Sequence, residues 1–191
     1  MTTKTLVKSG VITPRQLFAV TFLLLLPKLN FAAGLPPWQF GMTEEQVASF
    51  KQFGPYKSFP GGDLETYNRE FHGKKEDVQF YFVNNKLIKI AINLGEQLDQ
   101  RKALPVVKRA FAILEKDYGK LESPEITVPP TGGRFDADVF AMIAITNATM
   151  QGKTHFRGVR QPRDMQVWAT IMSVPNIGKN NLAVTIFFQP K

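Results

Sequence analysis

Between residues 78 and 94 apolar and polar side chains alternate on either side of one dipeptide, and this pattern limits the fold more than any other in the chain. Val78, Phe80 and Phe82 recur at every second residue, Asn84-Asn85 interrupts, and Ile88, Ile90, Ile92 and Leu94 resume the period. A period of two puts each set on one side of a pleated strand. Asn tolerates the positive φ that a two-residue turn requires. The segment is therefore predicted to be a β-hairpin with one buried face. Leu182, Val184, Ile186 and Phe188 repeat the pattern near the end of the chain, and residues 63–71, 138–150 and 165–174 read as further strands. The loop 175–181 is expected to join the last two strands as an antiparallel hairpin.

Two segments break this period. In Met42-Thr43-Glu44-Glu45-Gln46-Val47, Thr43 is placed to cap a helix, Gln46 to reach back to it, and Met42 to pack on Val47, which is a capping box with a hydrophobic staple. Gly54-Pro55 stops that helix after about three turns. A longer helix is predicted from about Asp99, with Val107, Ala110, Phe111, Leu114 and Tyr118 as its apolar stripe and Gly119 as its end; Pro105 must lie in its first turn or kink it. The order is then helix and three strands, twice. Runs of strands between helices, without regular βαβ alternation, define an α+β fold: an antiparallel sheet with two helices packed on one face. The domain spans 34–191, with 34–96 and 97–191 as two similar halves that form either one sheet or two small lobes.

Residues 1–33 read as an address. Lys4, Lys8 and Arg15 precede the apolar run 17–26, LFAVTFLLLL, and Pro27 comes before Asn30-Phe31-Ala32-Ala33. This is the order of a secretory signal peptide. The twelve residues between Arg15 and Lys28 reach about 18 Å as a helix, against about 30 Å of hydrocarbon. The mature protein is expected to begin at Ala33 or Gly34, in the periplasm or outside the cell, with no stable membrane span after cleavage. An uncleaved signal anchor is the alternative.

Composition narrows the chemistry. The chain of 191 residues has no Cys, so disulfides, Cys-ligated metals and a thiol nucleophile play no part. Setting aside Lys4, Lys8, Arg15 and Lys28 leaves 20 of its 24 cations against 16 acids, a balance of +4. That mild surplus argues only weakly for an anionic partner, and export argues against nucleic acid as that partner. His72 and His155 are far apart, and neither has a second ligand at metal-binding spacing, so neither a metal nor another cofactor is expected. No Gly-x-Ser-x-Gly elbow surrounds Ser49, Ser58, Ser123 or Ser173, and no catalytic residue is assigned. Asp136 with Asp138, and Asp63 with Glu65, would each share a strand face, most simply as solvated charges. Gly132-Gly133-Arg134 lacks the Lys and the spacing of a phosphate loop and reads as a turn.

The most unusual segment is 151–163. Lys153, His155, Arg157, Arg160 and Arg163 fall within it, Phe156 interrupts them, and no acid appears before Asp164. It reads as a solvated basic loop between strands and as the best anion- or partner-facing surface of the chain, suited to phosphate or carboxylate on a protein, an anionic lipid or a glycan.

Gly41-Met42-Thr43-Glu44-Glu45-Gln46-Val47, followed by Phe53-Gly54-Pro55, resembles the helix opening of small bacterial envelope proteins of the β-lactamase-inhibitor-like and outer-membrane-assembly lipoprotein group. There a short helix leads into an antiparallel sheet. This chain differs in having no Cys to be lipidated and in its greater length. The resemblance implies a non-enzymatic, protein-binding role, with another envelope protein as partner. The alternatives from the residues alone are a carrier that encloses a small apolar ligand in an aromatic-rich sheet, or a hydrolase using dispersed Asp and Glu residues. A buried pocket under a Phe-lined sheet would favour the carrier; a closed core with an exposed aromatic patch would favour the binding module.

Overall fold

The computed structural model describes residues 34–58, 63–126, 137–176 and 179–191. The signal-like segment 1–33, residues 59–62, Gly132-Gly133-Arg134 and Asp136 lie outside the described residues.

In chain order the elements are β1 (Gly34–Leu35), β2 (Trp38–Gln39), α1 (Glu44–Ala48), a 3-10 turn (Lys51–Phe53), β3 (Lys57–Ser58), β4 (Leu64–Phe71), β5 (Lys74–Val83), β6 (Lys86–Leu98), α2 (Gln100–Tyr118), β7 (Leu121–Glu122), α3 (Ala137–Gln151), β8 (Lys153–Gly158), β9 (Met165–Asn176) and β10 (Lys179–Pro190). The fold is α+β. One eight-stranded antiparallel sheet runs β3-β4-β5-β6-β10-β9-β8-β7, and β1 and β2 form a separate pair. Read from either edge, the order is a short strand followed by a three-strand meander. The last strands of the two meanders, β6 and β10, meet antiparallel at the centre, with Ile92 opposite Ile186 and Ile90 opposite Phe188.

The predicted local chemistry accounts for the joints. Thr43 Oγ1 accepts from the Gln46 N–H at 3.3 Å, and Gln46 Oε1 accepts from the Thr43 N–H at 2.8 Å, so the capping box is complete. The helix it opens is short, however, and gives way to the 3-10 turn within ten residues of Thr43. Asn84 and Asn85, at φ 51° and 54°, make the β5–β6 turn, where both central residues need positive φ. Asp99 caps α2 by accepting from the Lys102 N–H at 2.9 Å, and Gly119 ends it at φ 76°. Pro105 lies inside α2, past its first turn, on an exposed side, where water can take the carbonyl that its missing N–H leaves free.

Two expectations are corrected. Residues 138–150, read as a strand, form α3, and the second half contains two strands, β7 and β8, that the chain's pattern did not reveal. The helix α3 is apolar on every side, so neither period stands out. Its inner face is Ala141, Ala144, Ile145 and Ala148, buried at helical spacing, while Val139, Met142, Ile143 and Met150 are exposed. Small Ala residues let α3 lie close over the sheet beside α2. The predicted basic loop is in its first part β8, whose alternation of buried Thr154, Phe156 and Gly158 with Lys153, His155 and Arg157 was masked by charge. Gly158 is required where β8 passes the end of α2, since a Cβ there would stand 2.4 Å from that of Tyr118.

Helices α2 and α3 cover the same face of the sheet. Phe80, Ile90, Ile92, Val167, Ile171, Val184 and Ile186 are buried there, packed with Val47, Phe111 and Leu114, and Phe50 and Phe82 join them partly exposed. At about 25 cal/mol per Å2 of apolar surface removed from water, this continuous layer is the main stabilising term. Arg109 on α2 ties the layer to the sheet, pairing with the buried Glu76 and donating from Nη2 to the Phe71 carbonyl at 3.2 Å. No helix among the described residues is long and apolar enough to cross a membrane.

Candidate functional site

Among the described residues, the opposite face of the sheet carries no helix. Alternation sends the other half of each strand to it, and the registers arrange these residues in rows. One row crosses five strands: Asp77 on β5 stands opposite Asn93, Asn93 opposite Thr185, Thr185 opposite Thr170, and Thr170 opposite His155 on β8. Asn93 Nδ2 donates to Asp77 Oδ2 at 2.7 Å, Thr185 Oγ1 donates to Asn93 Oδ1 at 2.8 Å, and Thr170 Oγ1 lies 2.8 Å from His155 Nδ1. Gln79 Nε2 also donates to Asp77, at 3.3 Å, and Tyr81 donates to Gln79 at 2.8 Å. The second oxygen of Asp77, Oδ1, is buried without a hydrogen-bond partner among the described residues.

Beside this row runs an aromatic strip. Trp168 stacks on Phe187 with ring centroids 5.4 Å apart, and Lys89 lies over Tyr81 at 3.9 Å and over Phe187 at 5.6 Å. Tyr67, about half exposed, carries Lys57 over its ring at 5.0 Å. Met172 and Val174 extend the strip along β9, each 43% exposed, so the open face offers apolar surface together with satisfied polar groups.

Charge is separated across this face. Glu65, Asp77 and Glu96 gather at the β4–β6 end, and none forms an ion pair among the described residues, the nearby Lys57 and Lys89 lying over rings instead. The crowding is felt in the protonation of Asp77, Tyr67 and Tyr81. Burial raises the Asp77 carboxyl above its ordinary range, hydrogen bonds from Asn93 and Gln79 oppose this, and Glu65 and Glu96 reinforce it. The hydroxyl of Tyr67 is pushed up to about 12, chiefly by its hydrogen bond with Glu65. Tyr81 is raised by burial first and by Asp63, Asp77 and Glu96 after it.

The basic residues singled out in the sequence lie at the other end. Lys153, Arg157, Arg160 and Arg163 are all exposed, and His155 is half-buried. They do not form one patch. Lys153, His155 and Arg157 alternate on β8, whereas Arg160 and Arg163 follow in the turn before β9. Acids do come near, but not Asp138, which pairs with Lys108 on α2. Arg157 Nε meets Glu122 at 2.7 Å, both about half exposed, a surface pair of little net worth that leaves the guanidinium accessible. Glu125 accepts the His155 N–H at 3.0 Å, and Ser123 donates to the His155 carbonyl at 2.7 Å.

These last contacts cover the edge of β8 at His155. On the other side, Thr66 and Asn68 of β4 donate to the carbonyls of Phe53 and Gly54. Backbone or neighbouring groups at both margins are thus engaged by the chain itself, which guards against strand addition and leaves the open face as the surface on offer.

Other candidates fall to structural roles. Asp63 accepts the Phe82 N–H at 3.2 Å, and His72, in the β4–β5 turn, pairs with Asp117 at 3.0 Å. Among the described residues no cluster of His, Asp and Glu could hold a metal. A shallow depression of about 500 Å3 lies on the outer side of α3, lined by Met142, Ile143 and Met150 among others. Sequence reasoning missed Trp168, Phe187, Tyr81 and Asp77. A signal was present in Phe187-Phe188 and Trp168-Ala169, adjacent apolar pairs that must serve both faces of a strand.

No family model matches the chain, and no curated protein or solved structure matches it significantly.

Proposed function

We propose that the protein is an exported, non-enzymatic module that binds another protein on the open face of its sheet. The observation that carries this reading is the contrast between a filled core and a face that no described helix covers, bearing half-exposed Tyr67 and partly exposed Tyr81, Trp168 and Phe187. Aromatic side chains give large contact area at small entropic cost and dominate protein interfaces. Charged residues at the margins, Lys153, Arg157, Arg160 and Arg163 among them, steer encounter and set orientation more than they set affinity. Export to the periplasm or beyond rests on the basic, apolar and Ala-ended order of residues 1–33, and the resemblance of 41–47 and 53–55 to the envelope-protein helix opening points the same way. An anionic lipid or glycan would engage the basic margin without needing the aromatic strip.

Photo-cross-linking in the producing cell tests the proposal. A photoreactive residue at Tyr81 or Met172 should give a protein-sized adduct, and one at Lys108 on the helical side should not. Equal yields from both sides, or a co-purified small molecule in place of a protein, would overturn it.

A further inference from the structure

We infer that the helical layer, on the reverse of the sheet from the open face, docks on an anionic lipid bilayer, with the outer side of α3 in the boundary between headgroups and acyl chains and the outer side of α2 against the phosphates. This surface is built from other residues than the open face, so either can fail without the other.

The outer side of α3 provides the first argument. Val139, Met142, Ile143, Thr146 and Met150 recur at helical spacing, opposite the buried Ala141, Ala144, Ile145 and Ala148, and all five are exposed, Met142 at 59% and Met150 at 75%. They form one ridge about 16 Å long. Residues 139–151 contain no ionisable side chain, and Asp138, at the start of the helix, pairs with Lys108 of α2. A helix that faces water carries charged or polar groups on its outer side; this one carries what an apolar boundary accepts. At 15 residues it reaches about 22 Å, short of the roughly 30 Å of a hydrocarbon core, so it lies in the plane of the interface and does not cross it.

Charge on α2 provides the second. Arg101, Pro105, Lys108, Ala112 and Lys116 fall three or four residues apart on its outer side, away from the buried Ala103, Val107, Ala110 and Leu114, and all five are exposed. The row is cationic, and Lys102 and Lys120, also exposed, add to it. Of the acids nearby, Asp117 is held by His72, Asp138 by Lys108, and Asp99 by the N–H that it caps, which among the described residues leaves Glu115 to oppose the row. The Lys108 pair and the contact of Phe111 with Phe140, ring centroids 4.9 Å apart, join the two helices. A cationic row beside an apolar one is the pattern that binds the surface of an anionic bilayer, where headgroup phosphates attract the cations and burial of apolar area holds the ridge.

The make-up of the ridge favours lipid over protein. Protein contacts concentrate on Trp, Tyr and Arg seated in pockets, whereas this ridge holds aliphatic and thioether side chains with Thr146 among them. Such side chains give area without direction, and a fluid boundary asks for no more. A bilayer on this side leaves Tyr67, Trp168 and Phe187 free to meet a protein on the other.

Flotation with vesicles of equal parts phosphatidylglycerol and phosphatidylcholine tests this, using the protein purified from the exporting cell. The parent should float with them, float far less with phosphatidylcholine alone, and release as added salt shortens the screening length below about 8 Å. Met142→Glu with Ile143→Glu should lower the affinity roughly tenfold or more. Arg101→Glu with Lys116→Glu should lower it by at least about as much on the anionic vesicles and leave the weak binding to phosphatidylcholine unchanged. The chain has no Cys, so Met150→Cys carries a single environment-sensitive dye, whose emission should move to the blue when vesicles are added, while the same dye at Met172→Cys on the open face should not respond. Circular dichroism excludes misfolding, and the dye at the exposed Met150 position serves if the doubly charged variant does not fold. A parent that stays in the aqueous fraction overturns the inference, as does flotation indifferent to the changes at Met142 and Ile143. A Met150 dye already blue before vesicles are added would mean that protein covers the ridge, and a photoreactive residue at Met150 that captures a protein in the cell would make it a protein contact; either result sinks the lipid reading and leaves the cross-linking test at Tyr81 untouched.

Discussion

The two faces of the sheet are built from alternate residues of the same strands, yet they obey different rules. Under α2 and α3 the side chains are mostly aliphatic or aromatic and buried, and the charged Glu76 and Arg109 there are paired. One residue along each strand, the open face mixes Trp168 and Phe187 with a hydrogen-bonded row from Asp77 to Thr185, and it places unpaired acids at one end and exposed cations at the other. Folding requires the first composition. It does not require the second, because solvated Lys, Glu and Thr would serve the open side of an antiparallel sheet as well. Partly exposed aromatic surface and separated charge are features that association uses.

The contrast can be broken most sharply at neighbouring positions. Ile90 points under α2 and Lys89 to the open face. Ile90→Ala, or Phe111→Ala on α2, should cost about 2–5 kcal/mol of stability. Lys89→Ala should cost about 1 kcal/mol or less, the worth of its contact with the Tyr81 ring. Equal denaturation midpoints for Ile90→Ala and Lys89→Ala would show that the faces have been misassigned.

Arg109→Ala tests whether the covered face tolerates an unpaired charge. Glu76 would be left buried without its cation, at a cost of about 3 kcal/mol, and the midpoint in urea should fall accordingly. A loss confined to a few tenths would mean that water already reaches the pair.

Trp168→Ala separates the two roles of the open face. It removes one stacked aromatic contact, worth about 1 kcal/mol, so the protein should remain folded while association through this face is lost. Retained association would move the docking surface elsewhere.

The smallest effect is expected at Asp77. Its carboxyl is raised chiefly by burial, so the folded state keeps a proton that the unfolded chain releases. Its contribution to stability is therefore full below the ordinary carboxylate range and declines as pH rises through the raised value. Asp77→Asn keeps an oxygen for Asn93 and removes that decline. The variant should be more stable than the parent near neutrality and equal to it in acid, as thermal melts at several pH values would report. A difference that persists unchanged in acid would point to lost hydrogen bonds instead.

Much of the covered face was legible in the sequence, because burial on one side of a strand leaves a strict period. The β5–β6 hairpin, its Asn84-Asn85 turn, the Thr43 capping box and the Asp99 cap all follow from local chemistry. α3 was misread as a strand because it is apolar on both its inner and outer sides, which erases the helical period over residues 138–150. β8 was hidden by its own charges, since Lys153, His155 and Arg157 alternate with Thr154 and Phe156 yet look like a loop in one dimension. The open face was the least legible part. Asp77, Asn93, Thr185 and Thr170 come from four separate strands, and only the register of the sheet brings them into one row.

The chain has two Trp residues, one fully buried at Trp38 and one on the open face at Trp168, and this permits a direct measurement of the central claim. In a Trp38→Phe variant, emission reports on Trp168 alone. Adding extract from the exported compartment should shift that emission to the blue and protect it from acrylamide quenching, and Thr185→Arg should abolish both changes. Emission and quenching that stay the same with extract present would mean that nothing docks on the open face.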